Sequence, residues 1–456
     1  MRVLHKISAV FDDPNLVSCA GLVPVLRLAE RAGLHRLIDE HVHLGRPGGA
    51  NAAVKVATLV AGMAAGADSI DDMDLLRHGG LPRVLTDGRA PSTLGTFLRA
   101  FTFGHVGQLD AAASRLLANL AEVTPVLRGV TQVAFVDIDD TVRATHGKHK
   151  QGVGFGYTGV EGLNALLATV TTPMSPPVIL TTRLRGGSAS SGRGAASFVE
   201  TAMRAARRAG ATGLVIMRAD SAFFSRDVAA AVVDAGGYFS LTVKHTANII
   251  GAITSIPEHA WVGIRYPNAV WDDTDGDWIS EAEVAEMPFT AFRNHGKHGQ
   301  ITARLIVRRV RALNPAVSAA QGELFTGYRY HALFTNTPMP MIEAEACHRQ
   351  HAVIEQVLAD LKAGPLAHLP SGRFAANAAW LACAGIAFNL TRAAGALASP
   401  SHAKATTATL RTQLIQVPAR LASSARRLTM HMPLHWPWAT DWMQMLTGAN
   451  APPANA

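Results

Sequence analysis

Hydrophobic positions change their spacing along the chain. Over the first 125 residues they recur at helical intervals: Leu26, Leu28, Leu34 and Leu37 follow an amphipathic pattern across 23–40, and 52–65 is a run of small apolar residues. Leu94, Phe97, Leu98 and Phe101 share one side of a further helix, which Ser92 or Thr93 could cap. From residue 130 continuous apolar runs take over. Residues 132–137 (QVAFVD), 163–170, 178–184, 214–218 (LVIMR) and 238–244 read as buried strands. The Gly/Ser-rich connector GGSASSGRG leads into a helix at 195–208, and another is expected at 226–234. Three strands, helix, strand, helix, strand is the pattern of an α/β fold with a mixed sheet flanked by helices.

Residues 247–335 leave that rhythm. They hold Trp261, Trp271, Trp278 and Pro257 among short β-like runs such as 301–307, and read as a mostly β insertion. A strand at 331–335 returns to the core, 342–362 reads as one long helix, and 399–456 reads as helical and basic.

Charge narrows the partner. The 456 residues carry 42 Lys and Arg against 34 Asp and Glu, a formal net charge of +8. That balance suits a polyanion such as nucleic acid, whose counterions Lys and Arg displace. A composition simply rich in Arg and Ala is the plainer alternative. Three cysteines without a CxxC argue against a cysteine zinc module and for a reducing compartment. No signal peptide is legible at the N-terminus, and the most membrane-like stretch, 378–388, falls short of the ~20 apolar residues of a span. A cytoplasmic, nucleoid-associated protein is expected.

The candidate chemistry lies in the carboxylates. Asp137, Asp139 and Asp140 crowd the end of the first strand, where like charges repel unless something compensates them. Asp220 follows LVIMR, so two acids sit where central strands are expected to stop, the usual place for active residues in such sheets. A third is Glu355. At about 100° per residue, His348, His351, Glu355 and Lys362 fall close to one line along a single helix. Carboxylates suit hard Mg²⁺ or Mn²⁺. A lone Asp after a strand is commonly a cap, so the weight lies in the three together. Asp137 shares the face of Asp139 and is a reserve ligand; Asp140 points the other way and reads as a turn or capping residue.

These residues resemble the DDE transposases of bacterial insertion sequences, built on a ribonuclease-H-like core. The likeness is to the branch with a Tyr-x2-Arg-x3-Glu-x6-Lys signature and a β-rich insertion. Asp139-Asp140-Thr141 matches the first acid, the RADS of Arg218–Ser221 the second, and Glu355-x6-Lys362 the end of the signature. DDPNLVSCAGLVP, APSTL and VPARL…RRLTM…WPW extend the likeness along nearly the whole chain. His348 and His351 stand where the signature has Tyr and Arg; Arg349 is a further candidate for the phosphate contact. The resemblance implies a helical N-terminal DNA-binding region (1–125), a catalytic core in two parts (126–246 and 336–398), the insertion (247–335) and a basic C-terminal region (399–456). It also implies Asp139, Asp220 and Glu355 holding two Mg²⁺ (Mn²⁺ able to substitute) for two-metal phosphoryl transfer, terminal inverted repeats and target DNA as partners, and a homodimer on two ends.

Other features keep two readings. Trp271 or Trp278 could stack on a displaced base, or fill a core. Arg99, beside Arg83 and Arg89, and Arg420, with Arg411, Arg426 and Arg427, could line a DNA path or merely be solvated. WDDTDGDWISEAE fails the ligand scheme of a calcium loop, and His146, Lys148, His149 and Lys150 read as a basic loop near DNA. A nuclease of the same fold that does not join ends, and a DNA-binding regulator with structural acids, are the rival functions.

Overall fold

The computed structural model describes residues 7–45, 48–145, 150–156, 159–265, 270–272, 277–279, 282–296, 299–311 and 328–452. The HxxH loop at 146–149 and residues 273–276 of the acidic turn lie outside them. The chain divides into two compact units, Leu127–Ala144 with Gly154–Leu358, and Met1–Val126 with Thr145–Val153 and Ala359–Ala456.

The first unit is built on one large mixed sheet. Its strands are β1 (Val133–Ala144), β2 (Glu161–Thr172), β3 (Ser175–Gly186), β4 (Leu214–Ala219) and β5 (Tyr238–Thr242). Three more long strands extend it, β6 (Ala282–Ala291), β7 (Ile301–Arg311) and β8 (Tyr328–Thr335), and two short strands, Gly154–Phe155 paired with β2 and Val262–Ile264 paired with β6, bring it to ten. Across the sheet the longer strands run β3-β2-β1-β4-β5-β8-β7-β6. β1 pairs in parallel with β4, and β4 with β5; the other pairs are antiparallel. The segment read as an insertion therefore extends the same sheet through main-chain hydrogen bonds. Helix α1 (Ala195–Arg208) packs on β3, α2 (Arg226–Asp234) against α1 and β5, and α3 (Met341–Arg349) on β6 and β7.

β1 is longer than its apolar run. The acids at 137, 139 and 140 look like a strand ending, yet antiparallel pairing to β2 continues from Phe135↔Thr171 to Ala144↔Gly162. The strand passes through the acids because two of them are neutralised inside the fold. Asp140 is no turn or cap: it is buried and ion-paired with Arg185 on β3. Asn164 and Ser191 donate to the same carboxylate at 2.8 and 3.2 Å. Arg185 also donates to the carbonyls of Ser190, Ser191 and Arg193, which pins the Gly/Ser-rich connector to the sheet.

The second unit is helical around α5 (Phe374–Ala398), which packs against helices Ala52–Ala65, Phe103–Val123 and Ala439–Asn450. N-terminal and C-terminal segments thus share one core. α5 is long and apolar enough to cross a membrane, but 89% of its most apolar stretch is buried inside the protein. The amphipathic stretch at 23–40 forms two helices, Leu22–Arg31 and Leu34–His41, because Gly33 between them takes φ +82°, a backbone state that ends a helix. The helix expected to be capped by Ser92 or Thr93 starts at Pro91, whose fixed φ suits a first turn. The region at 399–456 is not wholly helical. A hairpin, β9 (Ala419–Ser424) and β10 (Arg427–His431), pairs with a short strand at Leu16–Val17.

Removing Arg185 strands a buried carboxylate, and losing one partner of such a pair typically costs about 3–5 kcal/mol. Arg185→Ala is expected to lower the urea midpoint strongly. Arg420→Ala, at a pair whose arginine is 62% exposed, should shift stability by less than about 0.5 kcal/mol.

Candidate active site

Parallel pairing between β1 and β4 ends at Ile138↔Ala219. Asp139 and Asp220 are the next residues on the two strands, so register alone sets two carboxylates side by side. β4 stops there: Asp220 is exposed and caps a short turn, its Oδ1 accepting from the Ala222 N–H at 2.9 Å. Asp139, half-buried, accepts from the Asp140 N–H at 2.7 Å. Burial pushes the Asp139 carboxyl up to about 6; that hydrogen bond and His351 pull it back, while Asp220 and Asp140 raise it. No Lys or Arg pairs with Asp139 among the described residues. Two adjacent carboxylates whose repulsion is left standing, one of them open to solvent, form a donor set that fits a hard divalent cation.

Beneath this pair lies a buried ion pair. Asp137 and Arg218 are direct partners in the parallel ladder, and Nε and Nη2 of Arg218 donate to the two carboxylate oxygens at 2.7 Å each. Nη1 donates to the Cys347 carbonyl near the end of α3 at 2.5 Å, and the guanidinium stacks over Phe135 at 4.5 Å. Burial by itself would raise the Asp137 carboxyl; Arg218 and the His351 hydrogen bond hold it below its ordinary value. Both oxygens of Asp137 are thus engaged, which removes it as a reserve cation ligand. Arg218 was legible in part, since an arginine closing an apolar strand needs a buried counter-charge. Which acid supplies it is settled only by register.

The helix expected at 342–362 is interrupted. α3 ends at Arg349, a 3₁₀ turn occupies Gln350–Ala352, and α4 (Val353–Lys362) begins after it. A 3₁₀ turn winds about 120° per residue, so three residues rotate α4 by roughly 60° from the course of a straight helix. The single line through His348, His351, Glu355 and Lys362 is therefore broken. His348 faces β5, where Ser240 and Thr242 hydroxyls meet its Nδ1 and Nε2 at 2.8 and 2.9 Å. Burial, then His351 and Arg218, push it down to about 3. A neutral ring with both nitrogens occupied is not a phosphate contact, which corrects that expectation.

His351 stacks on His348 at 6.5 Å, and its Nδ1 meets Asp137 Oδ1 at 3.0 Å. Arg349 is bonded to Glu345 at 2.9 Å. Glu355 is exposed in the first turn of α4, and Lys362, half-buried, closes its last turn. Among the described residues no three His, Cys, Asp or Glu side chains converge as a metal cluster, so the structure joins Asp139 to Asp220 but does not bring Glu355 to them. Trp271 and Trp278 are register partners in a two-stranded ribbon, with side chains outside the described residues. Arg99 is exposed and donates to Thr96 at 3.2 Å; Arg420 is paired with Asp13 at 3.1 Å.

Residues 3–450 match the family model of the transposase DDE domain group 1. The chain belongs to that family of DDE transposases. No curated protein matches it individually. The mixed sheet with flanking helices accords with the ribonuclease-H-like fold expected of this family, and membership makes the transposase an enzyme acting on DNA. DDE transposases generally use divalent metals, in keeping with the adjacent acids at 139 and 220.

A carboxylate raised to about 6 opposes folding once it ionises, because the unfolded group titrates near 3.9. Stability is thus lost as pH rises through about 4 to 6. Asp139→Asn is expected to stabilise the metal-free transposase at pH 7.5 by on the order of 1–3 kcal/mol, seen as a higher melting temperature, with the gain vanishing toward pH 4.

Proposed function

We propose that this transposase binds the terminal inverted repeats of an insertion sequence, cleaves its ends and joins them to target DNA. The observation that carries the reading is the adjacency of Asp139 and Asp220 one step beyond the last parallel pair of the sheet. Asp139, Asp220 and Glu355 are the proposed ligands of Mg²⁺, with Mn²⁺ able to replace it. When bound, the metal supplies Lewis-acid stabilisation of charge developing on phosphoryl oxygens. Asp137 and Arg218 keep the strands in register, so the two acids present their oxygens at one edge of a reacting phosphate. Lys362 and Arg349, with the remaining ring nitrogen of His351, hold the backbone of the element's end.

Residues 1–125 are proposed to contribute DNA contacts, Arg99 among them, and 247–335 to be an insertion within the catalytic core. Trp271 or Trp278 would stack on a displaced base, and a homodimer would hold two ends together. The rival readings differ at the chemistry. With a labelled duplex carrying one end of the element and Mg²⁺, the transposase is expected to cut and join. Asp220→Asn and Glu355→Gln should each lose about 10²–10³-fold or more in both steps while retaining DNA binding. Cutting without joining would identify a nuclease, binding without cutting a regulator, and full activity in either variant would refute the triad.

A further inference from the structure

The hairpin β9–β10 stands out from the rest of the second unit in exposure and charge. Leu421 is buried at its base, but every residue from Ser423 to Thr429, the sequence SSARRLT, is exposed. Ser424 and Arg427 are direct partners, so only Ala425 and Arg426 make the turn. Both take positive φ, +46° and +65°, the backbone state of a tight two-residue turn that Asn-Gly adopts with least strain. An arginine placed there carries its guanidinium at the apex, with Arg427 beside it. Neither has an ion-pair partner among the described residues, whereas Arg420 at the base is held by Asp13. Arg83 braces the stem by donating to Ser423 at 2.9 Å.

The charge along this part of the chain is one-sided. Residues 361–440 contain eight Lys or Arg and no Asp or Glu, a formal charge equal to the +8 of the entire chain. Arg392 within that stretch is buried beside Asp360, whereas Arg426 and Arg427 stand in water. Leu428, 42% exposed, adds an apolar group next to the two guanidiniums.

We propose that this hairpin is a DNA-contacting finger whose Arg426 and Arg427 enter a groove of duplex DNA. A two-stranded β-ribbon has the width the major groove admits; arginine there meets guanine edges or flanking phosphates, and an apolar side chain meets a thymine methyl. Exposed arginines without an ion-pair partner among the described residues favour a polyanion over a protein surface, where such groups would need carboxylate partners. The inference rests on the reading of this chain as a DNA-acting transposase and adds a contact outside the carboxylate site.

The test uses the full chain and a fluorescein-labelled mixed-sequence duplex of about 30 base pairs, titrated by anisotropy between about 50 and 200 mM KCl. Each phosphate contact contributes about 0.9 to the slope of log K against log salt. The double variant Arg426→Ser, Arg427→Ser is expected to weaken binding about 10-fold or more and to lower the slope by about 1–2. Arg426→Lys, Arg427→Lys should keep the slope. An unchanged melting temperature in both variants would exclude misfolding as the cause. Unchanged affinity and slope in the serine variant would overturn the finger while leaving the transposase reading intact. Loss of self-association with DNA binding unchanged would overturn it in favour of a contact between copies. Failure of the unmodified chain to bind any duplex would overturn both readings.

Discussion

The site depends on the ion pair between Asp137 and Arg218. Both groups are all but inaccessible to water, and a buried charge left alone costs several kcal/mol. Each therefore constrains the other's strand. A slip of β4 against β1 by one residue would turn Arg218 to the other face of the sheet and strand both charges. The same slip would separate Asp139 from Asp220. Arg218 reaches a third element through the Cys347 carbonyl, so one guanidinium spans two strands and the helix that precedes the Glu355 segment. Its value lies in the alternatives it forbids more than in net stabilisation.

The three crowded aspartates divide along the same logic. Asp137 is neutralised by Arg218 on one side of the strand and Asp140 by Arg185 on the other. Asp139, between them, is left with the Asp140 N–H and another carboxylate opposite. A fold optimised only for stability would place a neutral residue there. The charge retained at position 139 is tolerable because the flanking pairs lock the strand, and it makes the position suitable for a cation and a phosphate.

Much of the fold was legible because local patterns decide it. Helices Ala195–Arg208 and Arg226–Asp234 and the start of β4 at Leu214 follow directly from apolar periodicity. The misreadings share a cause: long-range pairing overrode a local signal. β1 runs on through its acids because β2 and Arg185 support it. The arginine-rich hairpin near residue 425 alternates apolar and polar residues over only a few positions, Ala419 and Leu421 on one strand and Leu428 and Met430 on the other, and it pairs with Leu16–Val17, far away in the chain. The helix at 342–362 breaks at Gln350–Ala352, where His348 is drawn to Ser240 and Thr242 and His351 to Asp137.

By itself the sequence determined the class of the protein: alternating strands and helices, an excess of base over acid, and carboxylates at strand ends in a spacing that resembles transposases. Those properties are carried by neighbours in the chain or by composition. What only the tertiary structure decided was which carboxylate is free and which arginines are exposed. A carboxylate is free or engaged according to what lies across the sheet, and the groups across the sheet from Asp137 and Asp140 are 81 and 45 residues away. The pairing that spared Asp139 is a property of register, which local spacing does not encode.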